Sequence, residues 1–128
     1  MVKTNGDNTL MLKVDGTVWG YGLNINGELG INNKKSVEES LPCEVVFPSE
    51  IVIKEISLGK KHALALDENG EVWAWGANEN YVLGNTSMRE SLVPFKINGL
   101  SGIKKIECGD YTSFAIGENG EVYSFRIQ

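Results

Sequence analysis

Self-similarity constrains this chain more than any other feature. Three segments align without gaps: residues 8–22 (NTLMLKVDGTVWGYG), 62–76 (HALALDENGEVWAWG) and 112–126 (TSFAIGENGEVYSFR). Their turn glycines, Gly16, Gly70 and Gly120, stand 54 and 50 residues apart. Between them Asn-x-x-x-x-Leu-Gly recurs at Asn24–Gly30 and Asn78–Gly84, followed by a polar loop and then Pro42 or Pro94. An Ile-x-x-Ile stretch (Ile53 to Ile56, Ile103 to Ile106) closes each unit at Gly59 or Gly109. A period near fifty residues marks a chain made by stacking one small unit on the next. We divide the single domain, residues 1–128, into copies at 1–58, 59–108 and an incomplete 109–128.

Each unit reads as four short strands. Asp15-Gly16, Asn69-Gly70 and Asn119-Gly120 carry the Asx-Gly signature of a tight hairpin, whose type I′ turn needs positive φ at both central residues. Strands are expected near residues 9–14, 17–22, 43–47, 51–57, 62–67, 71–76, 94–97, 103–107, 111–116 and 121–126. Pro42 and Pro94 suit the start of a strand, where a missing N–H breaks no ladder bond. No segment has helical periodicity beyond one turn at residues 36–41.

A two-residue turn at Asn69-Gly70 pairs Leu66 with Trp73, Leu64 with Trp75, Ala65 with Ala74 and Ala63 with Gly76. One face then carries large side chains and the other small ones, and the other two copies repeat this. Neither face is charged, so both are expected to be buried, large against small on the next sheet. Four-stranded sheets buried on both faces, at this period, are β-propeller blades. The expected fold is all-β: ten strands, about two and a half blades, incomplete as a single chain.

Composition excludes some functions. With 12 basic and 17 acidic residues the net charge is −5, and acidic residues sit beside each basic pair. A nucleic-acid partner, which needs a positive face, is not expected. Nor is a membrane partner, because no apolar run approaches the ~18 residues of a span, and Met1-Val-Lys-Thr-Asn-Gly lacks the apolar core of a secretory signal. Cys43 and Cys108 occupy non-equivalent positions and match no zinc spacing. Read as free thiols, they lean towards a reducing, cytoplasmic compartment.

Catalytic signatures are missing. His62 is the only histidine, and Asp67, five residues on, points to the opposite face of a strand. A structural role beside Gly59 is the expectation. The stretch Gly22 to Gly27 has phosphate-loop spacing without the lysine and hydroxyl that hold phosphate and magnesium. Asn24 and Asn78 are expected to satisfy loop backbone groups instead. Glu38-Glu39 and Asp67-Glu68 read as solvated acids, and Asn85-Thr86-Ser87 as a glycosylation sequon that matters only in a secreted chain. No catalytic residue, metal ligand or cofactor is assigned. The candidate sites are the loops that vary between copies, residues 31–41 and 85–93, which stacked blades would hold at the rim for a protein partner. From these loops and the neighbouring repeat position we select Lys34, Lys35, Glu38, Glu39, Tyr81 and Arg89.

The motifs also resemble a known family. Gly59-Lys-Lys-His62-Ala-Leu64-Ala-Leu66, followed by Gly70-Glu-Val-Trp73-Ala-Trp75-Gly76-Ala-Asn78, is similar to the repeat of the regulator of chromosome condensation family. Gly27-Glu28-Leu29-Gly30 after Asn24 resembles its Gly-Gln-Leu-Gly loop, and Pro42 and Pro94 fall where its repeat has proline. Kelch and WD repeats fit less well, lacking a Gly-Gly doublet and a Trp-Asp ending here. There are departures: Asn8 and Thr112 replace His62 in the other copies, Tyr81 replaces Gly27, and Ser124-Phe125-Arg126 lacks the Trp-Gly ending.

The resemblance implies propellers of usually seven blades. This chain would then be a piece of a larger propeller, completed by further blades of a longer protein, or a unit that assembles with copies of itself. It implies a non-catalytic protein-interaction module. One alternative is guanine-nucleotide exchange on a small GTPase, the family's best-known activity, although neither inter-strand loop here is long enough for the inserted β-wedge. Another is a hydrolase with its site in the propeller channel. For the fold, the Leu64, Leu66, Trp73 and Trp75 face is expected to pack on small residues of a neighbouring sheet.

Overall fold

Each Asx-Gly pair closes a hairpin in the computed structural model, which describes residues 1–37, 41–78 and 90–125. The strands among these residues are β1 (Val2–Thr4), β2 (Asn8–Leu12), β3 (Val18–Gly22), β4 (Cys43–Glu44), β5 (Ile53–Leu58), β6 (His62–Asp67), β7 (Val72–Ala77), β8 (Glu90–Lys96), β9 (Ile103–Cys108), β10 (Ser113–Gly117) and β11 (Val122–Phe125). They form three antiparallel sheets, ordered β1-β2-β3-β4, β5-β6-β7-β8 and β9-β10-β11. These are three successive blades of a partial, all-β propeller. The short strand β1 was not anticipated, so eleven strands stand among the described residues where ten were expected. The Ile-x-x-Ile stretches open blades 2 and 3 as β5 and β9; they do not close the preceding sheet.

The hairpins differ from expectation by one residue. Asp67 N–H donates to Glu71 C=O (3.0 Å) and Gly70 N–H to Asp67 C=O (3.2 Å), enclosing a three-residue loop. Gly70 adopts φ +80°, the left-handed position that a three-residue hairpin loop places before its bulge. Lys13–Thr17 and Gly117–Glu121 close in the same way, at 2.9 and 2.8 Å. The register therefore pairs Leu66 with Val72, Ala65 with Trp73, Leu64 with Ala74 and Ala63 with Trp75. Met11 opposes Trp19 in blade 1 and Ile116 opposes Val122 in blade 3.

Because side chains alternate with a period of two, an odd loop changes which residues share a face. The expected large and small faces are replaced by mixed ones. Ala63, Ala65, Trp73 and Trp75 lie together and pack against Leu10, Val18 and Val45 of blade 1. Leu64, Leu66, Val72 and Ala74 face blade 3, against Ile103, Ile106 and Ala115. Size complementarity survives within a face, where each alanine leaves room for the tryptophan opposite. Phe47, from the chain crossing between blades 1 and 2, sets its edge on Trp73 and Trp75 at centroid distances of 5.7 and 5.9 Å. Burial on both faces holds for β6 and β7, every residue of which is buried. The outer face of blade 3 is open, with Phe114 36% and Val122 67% exposed.

Two strand limits also differ. β4 keeps only Cys43 and Glu44 of the expected 43–47. Pro94 lies within β8, not at its start. It falls where the β7–β8 pairing is irregular, between the partners of Ala74 and Gly76, on an edge strand that tolerates a missing N–H.

Backbone and side-chain bonds join the blades. Ile53 N–H donates to Gly16 C=O, and Ile103 N–H to Gly70 C=O, both at 3.0 Å. Along the first strands, Glu55 Oε1 accepts from Ile106 N–H and Ser57 Oγ from Cys108 N–H, both at 2.9 Å. Between blades 1 and 2, Asn5 Nδ2 donates to the Gly59 carbonyl (2.8 Å).

Candidate functional site

The loop from β3 to β4 leaves blade 1 and folds onto blade 2. Asn24, fully buried, organises it. Its Nδ2 donates to the carbonyls of Asn33 (2.7 Å) and Lys35 (3.0 Å), and its Oδ1 accepts from Leu29 N–H (3.0 Å). The sequence expectation for Asn24 is met: one amide side chain satisfies backbone groups that a loop cannot pair with a strand. Glu28 is buried and its Oε1 accepts from Asn26 N–H (2.7 Å). Gly22 and Val37 exchange backbone bonds of 2.8 Å at the loop's base.

Four contacts tie this loop to the neighbouring blade. Trp75 Nε1 donates to Glu28 C=O (2.9 Å). Gly30 (φ +68°) lies so close that a Cβ there would stand 2.9 Å from the same indole nitrogen. Asn32 N–H donates to Leu92 C=O (3.0 Å), and Lys34 Nζ pairs with Glu90 at 2.8 Å, on β8. The loop is thus held on two blades, while Ile25 (64% exposed) and Lys35 face solvent.

Of the residues selected from the sequence, Lys34 is engaged with Glu90 across the blades and Lys35 is exposed. The structure brings them onto one loop surface. Glu38, Glu39, Tyr81 and Arg89 lie outside the described residues, as does the Asn85-Thr86-Ser87 sequon. Sequence reasoning does not single out Ile25; the available signal is an isoleucine between two asparagines, Asn24 and Asn26.

His62 and Ser113 form a buried pair, His62 Nε2 and Ser113 Oγ lying 3.0 Å apart between blades 2 and 3. Burial pushes the imidazole down to about 4, opposed by a hydrogen bond with the Thr112 backbone, so the ring is neutral at neutral pH. A Cβ on Gly59 would collide with the ring, which accounts for glycine there. The spacing is that of a nucleophile and its base, but both side chains are enclosed, at 1% and 0% exposure, and present no surface to a substrate.

Asp67 corrects the expectation of a solvated acid. It is buried, its Oδ1 accepts from Asn69 N–H (2.9 Å) and Glu71 N–H (3.0 Å), and its Oδ2 accepts from Trp73 Nε1 (3.0 Å). It anchors the turn and an indole together. Among the described residues no group of three or more His, Cys, Asp or Glu side chains is placed to hold a metal ion. Nor, among them, is any helix long and apolar enough to cross a membrane. Cys43 and Cys108 are both free, and burial pushes the Cys108 thiol up to about 12.

A family model described as the regulator of chromosome condensation (RCC1) repeat matches residues 15–66 and 69–116, most of the chain, and a second model of that repeat matches 53–81. The ultraviolet-B receptor UVR8 of Arabidopsis thaliana is 34% identical over 127 residues, covering 97% of this chain and 28% of the receptor. Among solved structures, human WBSCR16 superposes with a TM-score of 0.89 at 18% identity, over 98% of this chain and 32% of that one. Yeast RCC1 (Prp20), solved bound to Kap60, superposes with a TM-score of 0.83 at 22% identity, over 97% of this chain and 31% of that one. The chain thus spans less than a third of the length of each of these proteins.

Proposed function

The chain belongs to the regulator of chromosome condensation repeat family, and from that premise we propose that it is a non-catalytic protein-interaction module. The β3–β4 loop is its contact surface. One observation carries this reading: Asn24 and the cross-blade bonds of Asn32 and Lys34 hold residues 23–37 in a fixed shape, with Ile25 and Lys35 turned outward. A surface fixed before binding loses little conformational entropy on association. The class of partner is supported by yeast RCC1 (Prp20), which has been solved bound to another protein, Kap60.

Isoleucine supplies apolar area and the lysines steer encounter more than they add affinity. The test has two stages. Proteins captured by the chain are identified and purified, and their direct binding is measured by calorimetry to the chain and to Ile25→Asp and Lys35→Glu variants. The expected result is binding weakened by at least about tenfold in the variants at unchanged thermal stability. Equal affinity for all three proteins would refute the assignment of this loop.

A further inference from the structure

The two junctions between blades are built alike but finished differently. After the fourth strand, Val45 N–H donates back to Val18 C=O (2.8 Å), as Ile97 N–H does to Val72 C=O (2.9 Å). The chain then crosses to the next blade, reaching it at Ile53 or Ile103. Seven residues, 46–52, make the first crossing, whereas five, 98–102, make the second. In the shorter one Leu100 is buried, and Lys96 on β8 closes an ion pair with Glu71 (3.1 Å). In the longer one Val46 and Val52 remain 46% and 43% exposed. A cleft of about 810 Å³ opens between this crossing and the β2–β3 turn.

The electrostatics of the first junction also differ. Lys96 opposes Trp73, and its counterpart opposing Trp19 is Glu44. The counterpart of Glu71 is Thr17, so no ion pair can form there. The charged groups lining the cleft are Asp15, Glu44 and Glu50, all carboxylates and all exposed. Thr17 donates both its N–H (3.0 Å) and its hydroxyl (2.6 Å) to Asp15 Oδ1, and these bonds hold that carboxyl below its usual range. Lys13, whose ammonium lies 4.9 Å from the centre of the Trp19 ring, adds a smaller lowering effect on Asp15 through its charge and does not line the cleft. Apolar wall and acidic rim together fit one kind of ligand. The volume is that of a pre-formed binding cleft.

The geometry points to this cleft as a docking site for a short segment of a partner protein that carries aliphatic side chains flanked by lysine or arginine. An aliphatic side chain removes Val46, Ile51 and Val52 from water, and the basic flanks meet Glu44, Glu50 and Asp15. Strand direction alternates along each blade, so the cleft opens at the opposite end from the 23–37 loop. It is a second surface, independent of the function proposed above.

The test uses the full chain, uniformly labelled with ¹⁵N, and two peptides blocked at both ends. One has the order lysine-valine-leucine-lysine; the other has glutamate in place of each lysine. Amide shifts at residues 45–47, 49–52 and 15–17 report on the cleft, and those at 23–37 report on the other surface. The expected result is saturable shifts at the cleft with the lysine peptide alone, weakened by at least about fivefold in Glu44→Lys/Glu50→Lys. Both positions are exposed, and an unchanged spectrum elsewhere shows that the variant is folded. No saturable shift, equal response to both peptides, or shifts centred on residues 23–37 would overturn the proposal.

Discussion

Replacing Trp75 tests both the register and the stacking of blades. Its side chain is fully buried, shares a face with Ala63, Ala65 and Trp73, and has Phe47 edge-on at 5.9 Å. Its Nε1–H is bonded to Glu28 C=O in the neighbouring blade. Trp75→Ala removes the indole from a closed interface, which costs ~3–5 kcal/mol in transfer and cavity terms. Losing the partner of a buried carbonyl adds to this, so the upper end of that range is expected. Since domains of this size are stable by roughly 5–15 kcal/mol, the alanine variant approaches unfolding, and Trp75→Phe is the companion. Phenylalanine keeps most of the area and loses the donor, costing ~1–3 kcal/mol. Urea unfolding followed by circular dichroism measures both, and each kcal/mol corresponds to roughly 4 °C in melting temperature for a chain of this length. A cost below ~1 kcal/mol for Trp75→Ala in a folded protein would refute the argument, because blade 1 would then not close over that face.

Other expectations follow from single groups. His62 has its folded-state value lowered to about 4 by burial, so the unfolded chain binds more protons below the ordinary value of 6.5. Stability from this group is full at pH 7 and falls as pH drops from about 6.5 to about 4, by on the order of 3 kcal/mol; urea midpoints across that range should show it, and His62→Gln should remove it. Ser57→Ala deprives Cys108 N–H of its acceptor and should cost ~1–3 kcal/mol, with faster hydrogen exchange at that amide. Lys34→Ala breaks an ion pair whose side chains are 50% and 34% exposed and should change stability by no more than ~1 kcal/mol. A larger loss in the denaturation midpoint would refute the treatment of this half-exposed pair as a minor contributor to global stability.

The repeat was legible because its parts act locally. Turn glycines, Ile-x-x-Ile strands and apolar alternation mark short elements without knowledge of the tertiary fold, and together they specified a partial propeller. Register was not legible. Asx-Gly serves two- and three-residue hairpin loops alike, and only the backbone bonds bracketing Gly70 distinguish them. One residue of difference moved Trp73 and Trp75 from beside the leucines to beside the alanines.

Asp67 failed for a related reason. An acid next to Glu68 looks solvated, and only the three-residue loop brings two N–H groups and the Trp73 indole onto it. β1 escaped notice because three residues carry too little pattern. At the loop surface, Asn24 was legible from its repeated place in the motif. The Lys34–Glu90 pair was not, since it joins residues far apart in the chain.

The all-buried strands of the central blade have a consequence for how the molecule opens. Stability in a stack of repeats is shared between each unit and its neighbours, so the unit with two neighbours resists opening most. β6 and β7 are enclosed on both sides, whereas Val122, Tyr123 and Ser124 of β11 are exposed. In the 128-residue chain studied on its own, local unfolding should therefore begin at the β10–β11 hairpin and travel inward, and the amides of the 62–77 hairpin should exchange last among those described.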